Sequence, residues 1–473
     1  MTTKKPSKEN IGLILLVMLM TGSIDNIRNL PGTAASGTYI LFFFAFAIIF
    51  FLAPVALVSA EMSSNYTKKG EEGVFGWVNK AFGPDAAMLA IWCQWVNTLI
   101  WFPSILTFLA GMVAYLFNPD LSQNIQFTMI FMTTVFWILT IVNLKGLRIS
   151  AIFASACTLV GMVIPMLLIV VFAVIWMSGN HTSYIHFDMQ NVVPSFSSTE
   201  SWMGLTAIIA SFLGLELATV HIRNVINPKK TFPLALLIAV IFIVFTMILG
   251  ALAVSLIFPQ SDIAIVHGTI KAFKIYLDSY GIPTPVYYIL GIMIIVGGVG
   301  SMINWIISPA KGLLQAAEEH FLPDFLDKTN KHGVPSGILV LQAIIMTIIC
   351  MLLVYVPSVQ AYYWLLTALS TQIYSLMYLM MFIAALKLKL DKNNVVDTVG
   401  GFSIPFGKTG MVIACISGII GTVICVLVGF VPPDNLYSNP MEFIQTLSVC
   451  FVIAILPVGL FILYRRNRIN KIK

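Results

Sequence analysis

Long runs of apolar residues, separated by short polar segments, recur along the whole chain. A helix needs about 20 mostly apolar residues to cross a bilayer, and the pattern therefore predicts twelve membrane-spanning helices. We number these spans 1 to 12 in chain order, near residues 11–36, 39–60, 86–117, 126–144, 150–177, 201–224, 231–258, 285–308, 336–356, 361–386, 409–431 and 441–464. Because the number of crossings is even, both termini are expected on the same side of the membrane.

Two of these spans, the first and the sixth, carry charged and helix-breaking residues in their interior. In span 1 the stretch TGSIDNIRNLPG contains Asp25 and Arg28. In span 6 the stretch SFLGLE contains Gly214 and Glu216. A charge at the bilayer centre costs about 2.5–3.5 kcal/mol on insertion scales, so it persists only where it faces a cavity or a partner. Non-helical backbone at this depth is likewise tolerated only where it lines a cavity or is buried inside the protein.

Two interrupted helices that lie five spans apart are typical of an inverted repeat of five plus five helices. On this basis we predict one transmembrane domain over 1–464, with repeats at 11–177 and 201–388, spans 11 and 12 at 409–464, and a basic tail at 465–473. An interrupted helix exposes N–H groups that attract anions and C=O groups that attract cations. A zwitterion such as an amino acid carries both charges, which indicates a solute site near the middle of the membrane.

Simpler explanations exist for the same residues. Asp25 and Arg28 are three positions apart, so on an intact helix they could neutralise each other, and such a pair could also line a cavity. Glu216 could be a structural hydrogen-bond acceptor that ties span 6 to a neighbour. Trp101 and Trp305, like Trp95, could line a pathway, but packing or anchoring at the membrane interface explains a single tryptophan equally well.

Composition and charge support a membrane protein and orient it. Charged residues make up 10% of the chain, against about 25% in soluble domains. With twelve spans, all of the 26 Lys and Arg residues except Arg28, Lys271 and Lys274 lie at the inner ends of spans or in inner segments, if the N-terminus is inside. Positive residues favour the cytoplasmic side, so both termini are expected there. The net charge of +6 follows from this topology and gives no reason to expect a nucleic-acid partner.

No pattern of reactive side chains indicates an enzyme, a metal site or a cofactor. The six cysteines lie in apolar runs without metal-ligand spacing, and burial as small apolar residues accounts for them. The six histidines are scattered and form no HExxH or similar cluster. The polar N-terminus followed by apolar residues resembles a signal peptide, but no clear cleavage site follows, so we expect it to be retained.

Three stretches, taken in order, resemble the amino acid–polyamine–organocation (APC) superfamily and are most similar to its glutamate/γ-aminobutyrate antiporter branch. They are EEGVFGWVNKAFGP at 71–84, SFLGLELATVHIRNVINPKKTFPLAL at 211–236 and SPAKGLLQAAEEHFLPDFLDKTNKHGVP at 308–335. Each stretch alone is a moderate signal, whereas the ordered set with twelve spans is specific. The resemblance covers about residues 10–464.

The resemblance implies an all-helical, LeuT-like fold in which spans 1 and 6 are discontinuous and bind the substrate at their breaks. The substrate-binding residues expected on this basis are Ser23, Ile24, Asp25, Asn26, Ile27, Arg28, Ser211, Phe212, Leu213, Gly214 and Met302. Glu216 is expected as a gating or proton-linked carboxylate. Relatives often carry Gly-Ser-Gly at the break of span 1, where Ile24, Asp25 and Asn26 stand here, so the side-chain chemistry of that break does not transfer. Arg28 favours an acidic substrate group, whereas Asp25 favours the reverse.

The function that follows is secondary active transport of an amino acid or related amine by alternating access, most simply by exchange. A proton-coupled uptake permease is the alternative, and a channel is a more remote one that would show flux without stimulation by solute on the far side. Sodium coupling would need oxygen ligands from spans 1 and 8, of which Ser301 is one. We expect a multi-pass protein in the inner membrane of a bacterium, embedded in lipid, for which a homo-oligomer is an open alternative.

Overall fold

A computed structural model gives the architecture of the chain. It describes residues 11–24, 27–66, 73–145, 156–157, 159–179, 181–185, 192–194, 202–217, 219, 225–318, 320–331, 333–356, 358–391, 402–432 and 439–472. Every named element within these residues is helical, and one isolated bridge pairs Ile11 with Val225. The all-helical class expected from the apolar runs is therefore confirmed.

The spans have the following bounds in the structure. Span 1 comprises Leu13–Ile24, a turn at Ile27–Asn29 and Leu30–Ala34, and span 2 comprises Gly37–Tyr39, Ile40–Ala47, Ile48–Leu52 and Ala53–Asn65. Spans 3 to 6 are Pro84–Phe117, Ile125–Leu144, Leu159–Val163 with Ile164–Ser178, and Met203–Ala210. Spans 7 to 12 are Pro228–Ile257, Thr284–Glu318, Ser336–Met351 with Leu352–Tyr355, Val359–Leu390, Gly407–Val428 and Pro440–Ile472. Shorter helices at Gly73–Phe82, Pro119–Gln123, Gln260–Asp262 and Gly268–Ser279 lie between spans.

Eleven helices among the described residues are long and apolar enough to cross a membrane, and the shorter apolar segment Gly204–Leu217, whose α-helix is Met203–Ala210, occupies the place of span 6. The two interruptions come where the sequence places its turn-forming residues. The first helix of span 1 ends at Ile24, and the first helix of span 6 ends at Ala210. Gly214 then adopts φ +103°, a conformation that favours glycine because it has no Cβ.

Contacts between loops and span ends define two faces of the helical body. On the face that we call the terminal face, Arg466 pairs with Asp85, and Asn330 donates a hydrogen bond to the carbonyl of Leu144. The loops at the other ends of the spans lie on the opposite face. There the amide of Tyr184 donates to the carbonyl of Leu256.

Span 3 lies at the centre of the body and span 12 at its edge. In the most apolar window of each helix, 83% of the residues of span 3 are buried, against 11% for span 12. Spans 5 and 8 also approach closely, because a Cβ added at Gly161 would lie 2.2 Å from the Cα of Gly297. Small residues permit such backbone contact between membrane helices. Span 8 thus packs against both span 3 and span 5.

Candidate functional site

The breaks of spans 1 and 6 face a shared space in the middle of the body, which we call the central hollow. Its free volume is about 20 Å³, so the hollow is nearly closed in this conformation. The described residues that line it come from spans 1, 3, 6, 8 and 10 and are Gly22, Ile24, Arg28, Asn29, Asn97, Trp101, Ala210, Leu213, Ser301, Trp305 and Tyr374. One charged side chain, polar amides and hydroxyls, and two tryptophans therefore surround the same space.

Arg28 brings a positive charge to the hollow. Its side chain is buried, and Nη1 donates a hydrogen bond to the hydroxyl of Ser104 on span 3. The guanidinium carbon lies 5.1 Å from the ring centre of Trp101 and 6.0 Å from that of Tyr363. Aromatic faces stabilise a cation that has lost contact with water. Arg28 is therefore held as a cation between spans 3 and 10.

Two tryptophans connect Arg28 with the break of span 6. The rings of Trp101 and Trp305 are stacked with their centres 5.2 Å apart. Trp305 also lies against Gly214, where an added Cβ would be 3.0 Å from its ring. A side chain at Gly214 would therefore displace this ring as well as strain the backbone.

Glu216 lies on the terminal-face side of the hollow and is bound to spans 3 and 10. Its carboxylate is buried and accepts hydrogen bonds from the hydroxyls of Tyr374 and Tyr378 on span 10. Gln94 on span 3 donates to the same carboxylate across 3.1 Å. The hydroxyl of Tyr378 in turn accepts a hydrogen bond of 2.9 Å from the amide of Gly214. The bend in span 6 and its carboxylate are thus fixed to span 10 together.

Residues 255–269, which we call the cover segment, bind span 1 on the opposite-face side. Ser255 donates to the carbonyl of Ala34 across 2.8 Å, and Gln260 donates to the carbonyl of Ala35 across 3.1 Å. Thr269 donates to the carbonyl of Ile27, at the break of span 1, across 3.2 Å. The cover segment therefore binds carbonyl groups at two places in span 1, which are its break and the end of its second helix.

A histidine within the cover segment is held neutral. His267 stacks on Tyr115 of span 3, with ring centres 5.2 Å apart, and no described group forms a hydrogen bond with its Nδ1 atom. Burial and the neighbouring Lys271 lower the pKa of His267 to about 4. A protonated ring would have to leave this position to be solvated.

The helix ends at the hollow add a partial negative charge. The first helices of spans 1 and 6 end at Ile24 and Ala210, and both of these residues line the hollow. The carbonyl end of a helix carries a partial charge equivalent to about −0.5. An ammonium group is therefore favoured beside these two ends, and a carboxylate is favoured beside Arg28.

A second, apolar gap of about 20 Å³ adjoins the hollow between spans 1, 3, 5 and 8. Its described lining includes Gly22, Ile27 and Met162, and Ser301 is the one lining residue there with a side-chain oxygen. That oxygen donates to the carbonyl of Gly298 across 2.8 Å. The described side chains that line this gap therefore provide one oxygen ligand, that of Ser301, for the sodium ion that sodium coupling would need.

The residues expected at the break of span 1 lie as follows. Ile24 and Arg28 line the hollow, and Ile27 lines the adjoining gap while its carbonyl binds Thr269. Ser23 belongs to the first helix of span 1, but its side chain is outside the described part of the structure. Asp25 and Asn26 also lie outside the described residues.

The residues expected from spans 6 and 8 divide between the hollow and the packing around it. Leu213 lines the hollow. Ser211 is fully buried and donates to the carbonyl of Ala207, and Phe212 packs on Phe44 with ring centres 5.8 Å apart. Met302 is fully buried and is not among the described lining residues; Ser301 and Trp305 from the same helix are.

Four polar residues of the site were not singled out from the sequence. Gln94 and Asn97 interrupt an otherwise apolar stretch of span 3, and Tyr374 and Tyr378 are four residues apart in span 10. Asn97 accepts a hydrogen bond from Ser370, which joins the same two spans. Polar side chains that recur at helical spacing on one face of a span are the sequence signal that could have identified these residues.

Comparisons with known proteins show what the chain is similar to. The sequence profile of the family described as "Amino acid permease" matches residues 11–456. An uncharacterized transporter of Legionella pneumophila is 33% identical, with 96% of each chain covered. A glutamate/gamma-aminobutyrate antiporter of Lactococcus lactis is 28% identical, covering 97% of this chain and 91% of the relative. A probable agmatine/putrescine antiporter of the same species is 24% identical, covering 81% of this chain and 80% of the relative.

Proposed function

The chain belongs to the amino acid permease family, and we propose that this multi-pass membrane protein exchanges amino acids or related amines across a bacterial inner membrane. The family and the three relatives are transporters, as expected for a chain that is not an enzyme. The observation that supports exchange at a central site is the meeting of two interrupted helices at one hollow with a buried cation. The two antiporters among these relatives support exchange over simple uptake.

The proposed substrate carries an ammonium group and a carboxylate. The ammonium lies beside the carbonyl ends of the helices that finish at Ile24 and Ala210, where the helix dipoles favour a cation. The carboxylate lies beside Arg28, because a guanidinium binds a carboxylate through two parallel hydrogen bonds. Ser23, Asp25, Asn26 and Leu213 complete the proposed contacts.

The proposed mechanism is alternating access between the two faces. The residue ranges 11–177 and 201–388 act as the two inverted repeats, and spans 1, 2, 6 and 7 rock against the remaining spans. Glu216 and its tyrosines open for the terminal face, and the cover segment opens for the opposite face. Exchange requires only that the empty protein reorients slowly. The distribution of Lys and Arg supports a cytoplasmic terminal face.

Proteoliposomes preloaded with a panel of unlabelled amino acids and amines test this proposal. Entry of a labelled amino acid is expected to accelerate when a matched solute is present inside, because only the loaded protein reorients quickly. Empty vesicles with an imposed pH difference serve as the control. Equal uptake into these vesicles would contradict exchange and favour proton-coupled uptake, and rapid flux without any effect of internal solute would indicate a channel.

A further inference from the structure

A second buried carboxylate lies nearer the terminal face than Glu216. Glu61 is in the last helix of span 2, and its side chain is 0% exposed. One of its oxygens forms an ion pair with Lys389 in the last turn of span 10, whose side chain is 16% exposed. The other oxygen accepts a hydrogen bond of 2.7 Å from the amide of Ile404, just before span 11. Both oxygens of Glu61 are therefore bound to other spans or their connections.

Neighbouring hydrogen bonds join the same parts of the chain. Asn65 donates to the carbonyl of Phe402 across 2.8 Å, and Tyr66 donates to the carbonyl of Leu388 across 3.4 Å. The end of span 2 is thus attached to the end of span 10 and to the segment that leads into span 11. Among these contacts, only the one with Lys389 joins two full charges.

The cost of burying this ion pair indicates a role other than stability. Removing a carboxylate and an ammonium from water costs several kcal/mol for each ion, and their attraction often only balances that cost. Apolar residues in both places would join these spans at least as well. A buried ion pair does, however, make the contact between the two spans all-or-none. Either charge, once separated from its partner, is too costly to remain buried in the closed position.

The position of Lys389 relates this pair to the network around Glu216. Tyr374, Tyr378 and Lys389 fall within roughly 60° of one another around span 10, at 100° per residue. Lys389 lies eleven residues, or about 16 Å, beyond Tyr378 along the helix. One stripe of span 10 therefore binds both Glu216 from span 6 and Glu61 from span 2.

We propose that the Glu61–Lys389 pair is a second closure of the terminal face, which must separate each time the central hollow opens to that face. This inference depends on the proposed alternating access, in which spans 2 and 6 move together relative to span 10. Span 10 then releases two carboxylates in one movement. Glu61 and Lys389 act through the conformational step and do not contact the substrate.

Distance measurements between spin labels test the pair directly. Labels at Lys230→Cys and Lys408→Cys, both exposed at the terminal-face ends of spans 7 and 11, report opening of that face. The full chain also carries Cys450→Ser, because Cys450 is the one native cysteine that is not fully buried. The protein is reconstituted in lipid without substrate, and the populations of short and long distances are compared.

The Lys389→Met variant is expected to raise the ratio of long to short distances about tenfold or more, because it leaves Glu61 charged and buried. The double variant Glu61→Gln/Lys389→Met is expected to return this ratio to within about threefold of the starting protein, since no buried charge remains. If Lys389→Met does not fold, Lys389→Gln replaces it and is expected to lengthen the distance in the same direction. Lys389→Arg is expected to keep the short distance.

A matched control removes a charge on the same face. Asp85→Asn breaks the more exposed pair with Arg466 and is expected to leave the distances unchanged. A single Lys389 variant with the same distances as the starting protein would overturn the proposal, as would a double variant as open as the single one. If the starting protein shows no exchange in preloaded vesicles, the proposed function fails instead, and the distances still report whether the pair closes this face.

Discussion

In the proposed mechanism, the two faces of the central hollow are closed by different chemistry. On the terminal face, the buried carboxylates Glu216 and Glu61 bind tyrosine hydroxyls, an amide side chain and Lys389. On the opposite face, neutral side chains of the cover segment donate to backbone carbonyls of span 1. Hydrogen bonds to charged groups are roughly twice as strong as neutral ones, and a buried charge without its partner is far more costly. The terminal face should therefore open as one unit, and the opposite face in smaller steps.

The largest effect is expected at the hollow that both closures enclose. Arg28→Met should lower kcat/KM for exchange roughly 10²-fold, because the variant removes the charged partner proposed for the substrate carboxylate. Arg28→Lys should recover little of the loss, since an ammonium lacks the planar pair of donors. Exchange kinetics with a labelled amino acid measure both variants, and Arg466→Gln is the exposed control. An unchanged KM for Arg28→Met would show that the substrate binds elsewhere.

The charged closure is tested next. Glu216→Gln keeps the size of the side chain but replaces charge-assisted hydrogen bonds with neutral ones, and the exchange rate is expected to fall about tenfold. Tyr374→Phe, which removes one of the donors to the carboxylate, should have a smaller effect. The rate and its pH profile are measured in proteoliposomes. If both survive Glu216→Gln, Glu216 is a structural acceptor and has no gating or proton-linked role.

The neutral closure should respond more weakly. Thr269→Val removes the hydroxyl that binds the carbonyl of Ile27, and a net loss near 1 kcal/mol shifts the open population roughly two- to tenfold. The reporter is Ala210→Cys, at the end of the first helix of span 6, labelled by an impermeant maleimide from the opposite face. Thr422→Val is the control, because that buried hydroxyl binds a carbonyl within its own helix. A rise in labelling well above tenfold would remove the distinction between the faces.

The smallest effect is a dependence on pH at the opposite face. The pKa of His267 is lowered to about 4 in the closed position, so the closed state binds its proton less readily than an open, solvated state with a pKa near 6.5. Closure is therefore fully stable above about pH 6.5 and weakens as the pH falls toward 4. Acidification from pH 7 to 6 should raise labelling of Ala210→Cys about threefold relative to the same reporter with His267→Phe. Equal pH profiles would show that His267 does not control the cover segment.

The sequence by itself determined the number of spans and the places where two of them break. Hydropathy belongs to each segment alone, so the apolar runs predict crossings without knowledge of their neighbours. Charges, Gly214 and the turn-forming residues near Arg28 were equally local signals, and the described residues depart from the α-helix at Ile27–Asn29 and after Ala210. The resemblance to the family also rested on contiguous stretches of sequence, so it was a local signal as well.

Only the tertiary structure decided which side chains meet at the hollow. Glu216 and Tyr374 are 158 residues apart, and Glu61 and Lys389 are 328 apart, so no local pattern relates them. Trp305 lines the hollow, whereas Met302, one helical turn earlier, is buried in packing. The rotation of each helix about its own axis determines which of its side chains face the hollow. In lipid, where apolar side chains gain nothing from facing inward, close packing against neighbouring helices sets this rotation.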